Sequence, residues 1–144
     1  MKLVLTACGL ALALAACAPR REAPPPLPQF DAYKRIVALD ILHHAPSAYC
    51  QPGEEMLKSV VIIEIAIGAD GRLLGASVVR SNGYAELDKV ALDTVLSAAP
   101  FAPPAPGLVN GSASVKFLES FLFRDDECFQ IRSLADQFLG QVGH

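Results

Sequence analysis

From Lys58 to Ile67 almost every position is apolar. In a strand, successive side chains point to opposite faces. Val61, Ile63, Ile65 and Ile67 then share one face, and Val60, Ile62, Glu64 and Ala66 the other. Ala69-Asp70-Gly71 supplies a tight turn, because Asp tolerates and Gly freely adopts positive φ. Leu73 to Arg80 returns as a second strand, with Leu74, Ala76 and Val78 alternating with Leu73, Gly75, Ser77 and Val79. Ser81-Asn82-Gly83 breaks it. From about Tyr84 to Ala98 the period changes: Leu87, Val90, Ala91, Thr94, Val95 and Ala98 fall on one helical stripe. Pro100 to Gly107 cannot continue a helix. Ser112 to Arg124 predicts a third strand with Val115, Phe117, Phe121 and Phe123 on one face. Glu119 interrupts that face, as a bulge or strand end would.

The flanks predict helices. Asp31 is the expected N-cap of a first helix from Ala32 to about His44, with Phe30 stapling its start. Tyr33, Ile36, Val37 and Ile41 recur at helical spacing and would face the core. Pro46 ends the element, and Ser47 to Glu55 reads as a loop. After the acidic turn Asp125-Asp126-Glu127, Ile131, Leu134, Ala135, Phe138 and Leu139 fit a short amphipathic helix. The expected fold class is α+β. A small three-stranded antiparallel sheet is packed on one face by two helices, in the order α-β-β-α-β, with an extra C-terminal helix allowed.

The first sixteen residues have the layout of a bacterial lipoprotein signal. Lys2 is followed by the apolar run Leu3–Ala13 and by Leu14-Ala15-Ala16-Cys17. Cys17 is the expected lipidation site. Ala18 follows it where Asp would retain the protein in the inner membrane, so the outer membrane is expected, with the domain in the periplasm. Residues 17–29 form a tether: Pro19, Pro24, Pro25, Pro26 and Pro28 favour extended polyproline structure reaching roughly 35 Å. The domain proper is expected at 30–128, with an amphipathic tail at 129–144.

Export changes the meaning of the remaining cysteines. Cys50 and Cys128 are expected to pair, two separate thiols being the alternative. A third strand antiparallel to the first would bring Cys128 towards Cys50. The formal net charge of −3, with no basic cluster in the sequence, argues against a nucleic-acid binder. The absence of Trp argues against a stacking platform for sugars or bases.

Catalytic and metal chemistry find little support. His43 and His44 point about 100° apart on a helix and are poor joint ligands. The acidic turn lacks the spacing of a calcium loop. Glu64 and Glu119 would make an acid pair only with a pocket and substrate-binding aromatics around them, and Glu64 is expected on the exposed sheet face. Ser59, Ser77 and Ser81 have no nucleophile-elbow context. No catalytic residue, metal site or cofactor is therefore expected.

Four phrases in order carry a family resemblance. They are Ile65-Ala66-Ile67-Gly68-Ala69-Asp70-Gly71-Arg72, Val78-Val79-Arg80-Ser81-Asn82-Gly83, Leu87-Asp88-Lys89-Val90-Ala91-Leu92 and Ala99-Pro100-Phe101-Ala102-Pro103-Pro104. Together they resemble the C-terminal domain shared by TonB and TolA, over roughly Asp31 to Arg124. The resemblance implies a periplasmic protein-binding domain that captures a partner by strand addition, and it also allows an edge-paired homodimer. Envelope proteins are the implied partners: outer-membrane receptor segments or Tol/Pal-type components. The implied docking strand runs from Ser114 to Phe123, with Ser114, Lys116, Leu118, Ser120 and Leu122 as its edge residues. The tail after Arg124 could cap that edge. A lipoprotein signal stands where TonB and TolA carry a transmembrane helix, which leaves energy transduction unsupported. The alternative function is a structural lipoprotein subunit of a larger envelope assembly.

Overall fold

This computed structural model describes residues 27–45, 48, 50, 56–109, 111–125 and 128–139. The elements run α1 (Leu27–His44), β1 (Leu57–Gly68), β2 (Leu73–Arg80), α2 (Ala85–Ala98), a single-turn α3 (Pro106–Val109), β3 (Ser114–Arg124), β4 (Phe129–Ile131) and α4 (Arg132–Leu139). The signal at 1–16, the lipidation site Cys17 and residues 17–26 of the tether lie outside the described residues.

The fold is α+β, built on one antiparallel sheet in the order β2-β1-β3-β4. The apolar run of β1 makes it the central strand. Val61, Ile63, Ile65 and Ile67 are each 0% exposed on the face that the helices cover, whereas Val60, Ile62, Glu64 and Ala66 on the other face are half-buried. Burying one such side chain stabilises by roughly 1.5–3 kcal/mol, so this row anchors the core. Tyr33, Val37, Ala38 and Ile41 of α1 pack over it together with Leu87, Ala91, Val95 and Ala98 of α2.

Four strands form where the pattern predicted three. β4 lies in the expected tail, and Ile131, counted on a helical stripe, sits in that strand paired with Phe121. α1 also starts earlier than expected. It begins at Leu27, so Asp31 lies inside the helix and is not its N-cap. Pro28 is tolerated there because a first-turn N–H has no intrahelical acceptor. Phe30, inside this extended helix, meets the Phe117 ring edge-on at 6.1 Å. Two residues expected on apolar stripes face water, Ile36 at 46% exposure and Val90 at 39%. Glu119 causes no bulge: the β1–β3 register is continuous from Ser59 to Gly68.

The turn after β1 forms at Ala69-Asp70-Gly71. Gly71 has φ +87°, and the Arg72 N–H donates to Asp70 Oδ1 at 3.1 Å. The turn then docks on the proline-rich exit of α2. The Phe101 N–H donates to the Gly71 carbonyl at 2.9 Å, and a Cβ on Gly71 would stand 2.2 Å from Phe101 O. Tyr33 of α1 donates its hydroxyl to Ala102 O at 2.8 Å. Burial, and secondarily Asp40, push that phenol up to about 12, which keeps it a donor.

Cys50 and Cys128 are joined by a disulfide with their Cα atoms 5.1 Å apart, across a sequence separation of 78. The Cys50 N–H also donates to Phe129 O at 2.8 Å, so Cys50 is tied to β4 by its backbone as well as by the disulfide next to that strand.

Candidate functional site

Every sheet of this kind has edges, and an edge carries backbone donors and acceptors without a strand partner. β2 is one edge. It is bulged twice within eight residues, at Val79 and at Leu74, where its register with β1 shifts. Bulges twist an edge and spoil it as a template. Asn82 closes its far end, accepting the Val60 N–H at 3.2 Å. β4, the other outer strand, is three residues long, and Cys50 takes one of its carbonyls.

β4 covers only part of β3, pairing with Phe121, Leu122 and Phe123. The Arg124 N–H donates to Cys128 O at 2.9 Å, on the side away from β1. Strand alternation puts the backbone groups of Leu122, Ser120, Leu118, Lys116 and Ser114 on that same side. Leu122 faces Gln130 and is interior, which corrects its expected place on an open edge. The other four expected edge residues, Ser114, Lys116, Leu118 and Ser120, have no strand opposite them among the described residues.

Side chains close both ends of this opening. The Ser112 hydroxyl donates to Ser114 O at 2.8 Å. At the other end Glu119 Oε1 accepts the Ser120 N–H at 3.0 Å and the Ser133 N–H of α4 at 3.3 Å. Lys116 and Leu118 are left in the middle. On the helix side they are flanked by Phe117, whose ring contacts Phe30, Tyr33 and, at 5.8 Å from its centroid, Lys34 Nζ. On the helix-free side Leu118 is 51% exposed and lies opposite Glu64.

Glu119 takes a place beside the open edge that its position in an apolar row did not foretell. It is 2% exposed, and its Oε2 has no hydrogen-bond partner among the described residues. Burial pushes its carboxyl above the usual range, against the pull of Ser133, Ser120 and Lys34. The one signal in the sequence was an acid in an otherwise apolar row. Glu64 and Glu119 lie on opposite faces of the sheet and form no acid pair. His44 Nδ1 is 2.8 Å from Asp40 O, and no group of three potential metal ligands occurs among the described residues.

The phrases that carried the resemblance are joints. Gly71 meets Phe101, and the Ser81 hydroxyl donates to Asp88 Oδ2 at 2.9 Å while accepting the Gly83 N–H at 3.0 Å. They hold the hairpin, α2 and the exit loop in place, and so position β3 beside β1. Among the described residues no helix is long and apolar enough to cross a membrane. Comparison with curated proteins and with solved structures gives no match. Residues 54–121, from just before β1 to Phe121 of β3, match the family model described as Gram-negative bacterial TonB protein C-terminal.

Proposed function

We propose that the protein is a lipid-anchored envelope module that adds an extended segment of another envelope protein to β3, along Ser114–Ser120. The observation that carries this is the row Ser114, Lys116, Leu118 and Ser120, which is regular, unbulged and, among the described residues, without a strand opposite it. The other edges are bulged or tied to Cys50. Main-chain hydrogen bonds would hold the partner, and side chains on alternate faces would select it. The anchor, Cys17, is proposed from the order of charge, apolar run and small residues before it. Acylation there would keep the domain at the periplasmic face of the outer membrane. The partners that fit are extended segments of outer-membrane receptors, which would link the protein to TonB-dependent transport, or Tol/Pal-type components. The alternative, a structural subunit of a larger envelope assembly, draws support from Leu74 and Leu118, both more than half exposed on the helix-free face.

The test is photo-crosslinking in cells from a reactive residue placed at Leu118, compared with one at Val79 on β2. Strand addition predicts adducts from Leu118 that disappear in a Lys116→Pro background. Proline at that position removes an outward N–H and leaves the bonds to β1 intact. Adducts from Val79 alone, or Leu118 adducts indifferent to the proline, would overturn the reading. A stable stoichiometric adduct across the helix-free face would favour the structural alternative.

A further inference from the structure

The open edge has a stop. β4 leaves the sheet at Ile131 and α4 begins at Arg132, so a segment laid along β3 ends against the first turn of α4. Beside that stop, Lys34 and Arg35 of α1 and Arg132 of α4 line a cleft of about 150 Å³ together with Asp31 and Ser133. Three cations and one acid face one another there, on a chain whose net charge is −3. Neither Arg35 nor Arg132 forms an ion pair among the described residues. Lys34 leans over the edge itself, with its ammonium on the Phe117 ring.

Strand alternation fixes what a docked segment shows to this cleft. Its residues opposite Phe117 and Glu119 point to the helix side, as Phe117 and Glu119 do. The first comes under Lys34, and the second comes to the cleft mouth. Building on the strand-addition reading, we propose that the partner segment is acidic at one of these helix-side positions, and that Lys34, Arg35 and Arg132 select it by charge. Glu119 offers little opposition: its Oε1 is engaged with Ser133 and burial favours its neutral form. α1 and α4 both lie outside residues 54–121, so this selectivity would belong to the chain's flanking elements and not to the matched stretch.

The experiment uses the full oxidised chain and two synthetic peptides of alternating Thr and Val, identical except for Glu or Gln at the central helix-side position. Binding is followed by fluorescence anisotropy at about 0.01 M ionic strength, where the Debye length is roughly 30 Å. The Glu peptide is expected to bind about three- to tenfold more tightly than the Gln peptide. That preference should vanish in the Lys34→Gln/Arg35→Gln/Arg132→Gln variant and at about 1 M salt. Equal binding of the two peptides, with Lys116→Pro abolishing both, overturns the charge selectivity and leaves strand addition standing. Absence of binding by either peptide, or binding that survives Lys116→Pro, overturns both.

Discussion

At the scale of single residues, Glu119 is the most consequential side chain in the molecule. It joins the end of the open edge to α4 through one oxygen, and it does so from a buried position in an apolar row. A buried acid whose folded-state pKa is raised binds its proton more tightly folded than unfolded. Stability is then greatest below the ordinary glutamate value of roughly 4.3 and falls as pH rises through the window above it. Glu119→Gln keeps an oxygen for the Ser120 and Ser133 N–H groups and has no charge to desolvate. Urea unfolding between about pH 4 and pH 8 should therefore show the variant more stable than the parent at the upper end. The gap should close towards the lower end. A parent that gains stability on the variant with rising pH would mean that Ser133, Ser120 and Lys34 outweigh burial. Gly71 is a different kind of residue. Its positive φ and the closeness of Phe101 O leave room for glycine only, so its place in the Asp70-Gly71 turn is a packing requirement.

At the scale of elements, β4 decides how much of β3 stays open. Three residues are too few to hold a strand by backbone pairing alone, but Phe129 and Ile131 are fully buried and the Cys50 N–H holds the Phe129 carbonyl. The disulfide fixes that contact. Replacing both cysteines by serine should lower the unfolding free energy by about 3–5 kcal/mol on the chain-entropy account. Amide exchange should rise first at Phe129–Ile131 and at Leu122, whose outward groups β4 protects. Alkylation of both thiols in unreduced protein would remove the basis for this. β1, β3 and α2 were legible in the sequence, because long apolar rows show their period. β4 was not, since Phe129-Gln130-Ile131 is too short to establish alternation, and Ile131, Leu134 and Ala135 fit a helix equally well. That ambiguity is why Leu122 was read as an edge residue. The remaining edge row, from Ser114 to Ser120, was named only as what the family resemblance implies. The cleft was not legible, because Arg132 lies nearly a hundred positions after Lys34 and Arg35 in the chain and only the packing of α4 beside α1 brings them together.

At the scale of the whole molecule, the question is how far the folding unit extends beyond the matched stretch. Residues 54–121 contain the hairpin, α2 and most of β3. The core does not stop there: Tyr33, Val37, Ala38 and Ile41 precede it, and Phe123, Phe129, Ile131 and Leu134 follow it, all buried. At roughly 1.5–3 kcal/mol for each large apolar side chain, losing them removes about as much as the 5–15 kcal/mol by which domains are usually stable. A fragment of residues 54–121 should therefore lack a cooperative thermal transition and give poorly dispersed amide resonances. A fragment of residues 27–144 should melt in one step. The contrast bears directly on the binding edge. If the short fragment folded cooperatively, α1 and α4 would be accessories, and the basic cleft between them would not be a fixed part of the edge. If only the long one folds, the helices that complete the core are the same helices that set the charge beside β3, and stability and partner choice are built from the same contacts.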